Sequence, residues 1–381
     1  MKEHILKFLL VCLLVLLAAS MNLYAQIQMD RVLSRVTIPA EANTRGLVDT
    51  VGFPHRAGQM DFIGPLCERL ERQTIVANQK KYNFTDNTTL IFGICPHDDY
   101  KLAARVYLQV QRYMKAKTVI LIGNAHWSEA FGIRNKLILA DFKYWRGPYG
   151  PVKISAIRDQ IIKKLSLRHY VVKRTVVETE HSLEALIPFL QYFNRNVEIV
   201  PILVPFTDWT TMNELGADLA RVVSEIIKSN DWSLGQDIAV LCSSDGQHYG
   251  DYGWSYYDYH PYGCDADGYK KAIEFDQKMI NDYLVGPAQL EKIHRLFTSL
   301  VDQHDISNYK VTWCGRFSVS FASNFAIRLA KQVENRELNG SFLGYGSSLS
   351  DPWLPLEKYH LGLTGDANLH HFVTYFALGF K

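Results

Sequence analysis

This 381-residue chain has no strongly charged stretch. Lysine and arginine number 41 against 39 aspartate and glutamate, and no basic run of the kind that follows a phosphate backbone is present. Nucleic-acid binding is therefore not expected. A C-x-x-C pair is also missing, which excludes a zinc knuckle or a thioredoxin-type motif. Ser243-Ser244-Asp245 lacks the G-x-S-x-G elbow, so serine hydrolysis is disfavoured. Without Gly/Ser/Pro-rich linkers, internal repeats or low-complexity tracts, the simplest organisation is one α/β domain.

The first 25 residues stand apart. Lys2 and Lys7 make a basic start, Phe8–Ala19 is apolar, and Leu23-Tyr24-Ala25 precedes Gln26 as a cleavage site. The apolar run is too short to span a bilayer comfortably and reads as a secretory signal peptide, with an uncleaved anchor as the alternative. Cys12 lacks small residues before it, which argues against a lipoprotein site. The expected mature protein, 26–381, is exported to a periplasm or beyond, with no stable membrane insertion. Its five cysteines are an odd number, leaving at least one free thiol or an intermolecular bond.

What the chain does have is one pattern written three times. Lys117–Trp127 reads K-T-V-I-L-I-G-N-A-H-W, an apolar, largely β-branched run followed by a turn and His126. Thr88–Tyr100 ends its apolar run in Pro96 and His97, and Asp237–Gly250 runs through a polar turn to His248. Short, continuously apolar runs suit strands buried on both faces. In open α/β sheets, ligands bind beyond the carboxyl ends of such strands.

Alternating strand and helix patterns continue along the chain. The expected fold is a central, mostly parallel sheet with helices on both faces. Ala103–Met114 reads as a crossover helix joining the strands of His97 and His126 as parallel neighbours, and residues 251–264 read as an aromatic-rich loop. Within 178–193, Pro188 makes the helix begin late or kink, and Ser182 is available to cap an early start, leaving His181 at its positive end. Imidazoles are common ligands of divalent transition metals, and two with one carboxylate leave positions open for oxygen or substrate. His97 and His126 form the best pair. Asp98, Asp99, Asp245 and His248 are the candidates to complete or support the set. Glu180 or Glu184 can orient an imidazole or be a solvated carboxylate at a helix start. Tyr249, Trp127 and the aromatics of 252–262 can wall an aromatic substrate or simply pack.

The blocks C-P-H-D-D-Y, L-I-G-N-A-H-W, G-P-Y-G-P-V, E-T-E-H-S-L-E-A-L-I-P-F-L-Q and S-S-D-G-Q-H-Y-G resemble the Memo family, whose bacterial members are called AmmeMemoRadiSam system protein B. T-W-C-G-R-F at 312–317 and H-R-A-G at 55–58 fit as well, so the resemblance covers most of residues 53–350. It implies a fold shared with class III extradiol ring-cleaving dioxygenases, which use non-haem Fe(II). On that template His97 and His126 match the metal-binding histidines and His181 the acid/base residue. The third metal-contacting position, a cysteine in the best-known member, falls on Gln247, leaving Asp245, His248 or water to complete the site. Asp98-Asp99 replaces the family's Gly-rich run after the first histidine.

The leading expectation is a metal-dependent enzyme acting on a small molecule. Its cofactor would be a divalent transition metal, Fe(II) on the template, with Cu or Zn as alternatives, and His181 and His248 would be its catalytic candidates. The competing readings are a non-catalytic module that binds a peptide or protein in the same cleft, and a hydrolase using metal-bound water and His181.

Overall fold

The computed structural model describes residues 30–254 and 257–381. Residues 1–29, which include the stretch expected to be a signal peptide, lie outside them, as do residues 255 and 256 of the aromatic stretch. The strands are β1 (Thr44–Arg45), β2 (Phe92–Cys95), β3 (Thr118–Asn124), β4 (Leu137–Leu139), β5 (Tyr144–Trp145), β6 (Val152–Ile154), β7 (Tyr170–Val172), β8 (Glu198–Val204), β9 (Ile238–Ser243), β10 (His248–Trp254), β11 (Tyr257–Tyr259), β12 (Gly286–Pro287), β13 (Asn339–Ser347) and β14 (Phe372–Phe380). The helices are α1 (Ala57–Leu70), α2 (Arg72–Tyr82), α3 (Tyr100–Gln111), α4 (Ile157–Lys164), α5 (Arg174–Glu178), α6 (Ile187–Phe193), α7 (Trp209–Ser229), α8 (Ala266–Leu284), α9 (Leu290–Leu300) and α10 (Arg316–Glu334).

One mixed sheet carries the molecule. Its path is β1-β5-β6-β8-β3-β9-β2-β14-β10-β11, parallel from β6 through β2 and antiparallel beyond. All seven residues of β3 are buried. Their side chains alternate between two cores, because successive residues of a strand face opposite sides. Val119 and Leu121 pack into the core with α1, α3 and α6, whereas Ile120 and Ile122 join α7, α9 and α10 on the other side. Helix α7 starts where it does because Asp208 accepts a hydrogen bond from the Thr211 N–H at 2.9 Å, satisfying a free amide of the first turn.

Two sequence expectations are corrected here, and one of two alternatives is settled. The strands of His97 and His126 are not neighbours: β9 lies between β2 and β3 and pairs in parallel with both. The segment after Asp251 is not a loop but most of an antiparallel ribbon, β10 with β11. The Pro188 helix begins late, after a 3₁₀ turn at Glu184–Leu186, and Ser182 caps nothing. Its hydroxyl instead donates to the Asn124 carbonyl at 3.0 Å, tying the segment that bears His181 to the end of β3.

That tie depends on a glycine. A β-carbon on Gly123 would stand 2.6 Å from Leu183 Cδ2 and 2.7 Å from Ser182 Oγ, too close for any real packing. Gly123→Ala is therefore expected to cost about 1–3 kcal/mol by overpacking. A lowered thermal midpoint would report this; an unchanged one would mean that the 181–183 segment moves freely.

Candidate metal centre

Three imidazoles meet where the sheet's parallel strands end. The ring centroids of His97 and His126 are 5.4 Å apart, those of His97 and His181 5.6 Å, and those of His126 and His181 4.9 Å with nearly parallel planes. Each offers a ring nitrogen within 4.8 Å of the others. A second set, His97, Asp245 and Cys314, meets the same distance limit and shares His97. Cys314 Sγ lies 3.4 Å from His97 Nε2, and Asp245 Oδ2 lies 3.4 Å from that same nitrogen.

The hydrogen bonds fix which ring nitrogens are bare. Ser243 Oγ donates to the Ser182 carbonyl at 2.6 Å, so toward His97 Nδ1, 2.8 Å away, it acts as acceptor. The proton of His97 then sits on Nδ1, and the Nε2 lone pair faces Cys314 and Asp245. His126 Nδ1 donates in the same way to Glu180 Oε1 at 2.9 Å, leaving its Nε2 as a lone pair. Glu180 also accepts from the backbone N–H of His126 at 2.8 Å and of Ser182 at 2.9 Å, and its carboxylate lies 3.5 Å from His181 Nδ1. One buried carboxylate thus aligns His126 and lies beside His181, whose Nδ1 makes no hydrogen bond.

Electrostatics point the same way. Burial, and then the neighbouring His126 and His181, hold His97 well below the usual histidine range. Burial lowers His181 to about 3, against the pull of Glu180. Burial alone would raise Glu180, but His126 and His181 outweigh it and keep the carboxylate ionised. Burial pushes Asp245 up, helped by Asp98, and pushes the Cys314 thiol up, helped by Asp245. Imidazole nitrogens from three segments, beside a thiol and a carboxyl that would lose their protons as a cation binds, fit a divalent transition metal.

A pH prediction arises here. His181 has a lower pKa folded than the unfolded value of 6.5, so the unfolded chain takes up its proton first as the medium acidifies. Its burial costs no stability above that value, and stability falls between about 6.5 and about 3. The side chain is 24 % exposed, so the slope is set at up to about 1 kcal/mol per pH unit. Urea unfolding of metal-free protein near pH 7 and near pH 5 should show a smaller acid loss in His181→Gln than in the parent. Equal losses would refute the assignment.

The remaining sequence candidates fall into place as follows. His248 opens β10, is buried, and has its pKa depressed by that burial with His126, His371 and His181 nearby. It borders the centre without belonging to either ligand set. Gln247 turns away: its amide donates to the Ala272 carbonyl on α8 at 3.0 Å. Asp98 accepts from the Tyr375 hydroxyl, and Asp99 holds the backbone and hydroxyl of Thr364. Glu184 orients no histidine, being taken up by Arg45 and the amides of Val48 and Asp49, and neither it nor Glu180 is solvated. Tyr249 is core, stacked on Phe372, whereas half-buried Trp127 carries Arg35 over its ring at 4.9 Å.

Cys314 is the residue that strand-end reasoning missed. It precedes α10 within T-W-C-G-R-F, and no apolar strand announces it. Gly315 makes its position possible, since a β-carbon there would collide with Ser244 in the loop bearing Asp245.

Comparison with known proteins matches residues 67–349 to the family model described as Memo-like protein. The chain belongs to the Memo-like family. Its relatives include MEMO1 family proteins of Pyrobaculum arsenaticum, 32 % identical over 164 residues, and of Caldivirga maquilingensis, 31 % identical over 173. These alignments cover 41 % and 44 % of this chain, and 53 % and 56 % of the respective relatives. The chain thus spans about half the length of the curated relatives it matches. The Memo-like segment contains all five residues of the two ligand sets and Glu180 as well.

Proposed function

We propose that this Memo-like protein is a metal-dependent enzyme acting on a small molecule, with a non-haem Fe(II)-type centre. The observation that carries this reading is the convergence of His97, His126, His181, Asp245 and Cys314 at the strand ends, with the Nε2 atoms of His97 and His126 unprotonated. His97, common to both sets, would hold the ion together with donors drawn from His126, Asp245 and Cys314. A bound metal would supply Lewis acidity and, for iron, redox chemistry toward dioxygen. His181, partly exposed beside His126, would exchange a proton with a phenol or a water. Glu180 fixes its partner His126. Phe53, whose ring lies 6.5 Å from His181 and parallel to it, and half-buried Trp127 offer apolar walls.

Metal analysis of protein purified anaerobically and without chelator tests this directly, with about one equivalent of iron at the histidine centre expected. Turnover that needs dioxygen supports the oxidative reading; turnover sustained without oxygen by a zinc-loaded sample would make it a hydrolase. We further propose export, on the strength of Lys2, Lys7 and the apolar Phe8–Ala19 segment. No helix among the described residues is long and apolar enough to cross a membrane. Cell fractionation, with mass determination of the mature amino terminus, would reveal cleavage after Ala25 or its absence.

A further inference from the structure

A second group of metal-ligating side chains lies outside the histidine centre. Asp251 of β10, Cys264 just ahead of α8, and His370 in the turn before β14 place one ligand atom each within 4.8 Å of the others. His370 Nδ1 and Asp251 Oδ1 are 2.8 Å apart. Cys264 is half-buried, whereas the other four described cysteines are buried. The one half-buried thiol among the five free described cysteines therefore stands beside an imidazole and a carboxylate.

All three arms are held by contacts that need no ion. Gly250 has φ of +144°, and a β-carbon there would overlap the His370 carbonyl oxygen, so only glycine lets β10 come this close to the turn. The turn itself is closed by reciprocal Asn368–His371 backbone bonds, and Asn368 Oδ1 accepts from the His370 N–H at 2.8 Å. On the third side, the Tyr249 hydroxyl donates to the Gly263 carbonyl at 3.0 Å and accepts from the Tyr262 N–H at 2.9 Å. Asp265 caps α8 through the Gly268 N–H at 2.7 Å. Cys264 sits between these two anchors.

We propose that Asp251, Cys264 and His370 form a second divalent-cation site of the zinc type, with a fourth position open to water. Thiolate, imidazole and carboxylate are the donors that zinc takes, and a tetrahedral ion would hold them roughly 3.3–3.6 Å apart. Binding forms Zn–S, Zn–N and Zn–O bonds; the thiol proton leaves to solvent, and the imidazole proton moves from Nδ1 to Nε2 as Nδ1 takes the ion. Bound zinc clamps the amino end of α8 and the turn before β14 onto the edge ribbon β10–β11. The proposal is independent of the reading given to the histidine centre.

The test uses the full chain, stripped of metal and titrated with zinc alone against a chromophoric chelator. The parent should bind two equivalents, and Cys264→Ala and His370→Ala one each. His126→Ala, which weakens the other centre, should keep the equivalent that depends on Cys264. A separate readout is maleimide labelling of Cys264, followed by peptide mass, which zinc should slow at least about tenfold in the parent. Far less protection should remain in His370→Ala, a surface variant expected to fold. Unchanged stoichiometry in both surface variants, or labelling indifferent to zinc, overturns the site. A parent that binds one equivalent, lost in His126→Ala, would overturn it while leaving the histidine centre standing.

Discussion

His97→Ala is expected to strip the protein of stoichiometric metal at its histidine centre. His97 is shared by both ligand sets, and its Nε2 faces Cys314 and Asp245 at 3.4 Å each, so its loss takes the common donor from both. His126→Ala should act in the same direction. The ranking of a third variant makes the prediction sharper. Glu180 touches no ion in this arrangement but aligns His126, and removal of such a supporting carboxylate typically weakens metal binding by about 10–100-fold. Glu180→Gln should therefore fall within that range, and His97→Ala beyond it. Chelator competition on anaerobically handled protein measures all three. If His97→Ala retains metal as tightly as the parent, the centre as drawn here is wrong.

The largest effect on stability is expected at Glu184. Its carboxylate, 4 % exposed, pairs with the guanidinium of Arg45, 1 % exposed, and accepts the N–H groups of Val48 at 2.8 Å and Asp49 at 3.0 Å. Burial pushes Glu184 up in pKa against the opposing pull of Arg45. Glu184→Ala leaves a buried cation without its counter-charge and two amides without an acceptor. Breaking a buried pair in this way costs about 3–5 kcal/mol. Urea unfolding should show a lower midpoint with an unchanged slope, and a smaller shift for Glu184→Gln, which keeps an acceptor for the amides. A loss below about 1 kcal/mol in the alanine variant would mean that Arg45 rehydrates or finds another anion. Arg45 also donates to the Val177 carbonyl at 3.3 Å and to the backbone carbonyl of Glu180, so the pair secures the segment that presents Glu180 and His181.

Where the chain is buried on both faces, its pattern was readable. Val119–Ile122 is continuously apolar because β3 has protein on either side, and strand 372–380 is legible for the same reason. Helix α9 is legible too, carrying Ile293, Leu296, Phe297 and Leu300 at helical spacing. The order of strands was not legible, since nothing in 88–124 says that a strand more than a hundred residues later will insert between the first two. The site divides along the same line. His97, His126, His181 and Asp245 follow or border apolar runs and could be singled out. Cys314 is 217 residues from His97 and follows no strand, so only the folded chain brings it there. The choice between Glu180 and Glu184 likewise depended on Arg45, whose partner is 139 positions away.

The position of β14 has a consequence for how the protein is made. All nine of its residues are buried, and it lies in the interior of the sheet, bonded to β2 near one end and to β10 near the other while running beside β13. The ribosome must therefore finish residue 380 before the sheet can close, and the slots beside β2 and β13 wait open until then. Nascent chains stalled short of Phe372 should consequently be sticky and unable to take up metal, however complete their histidines.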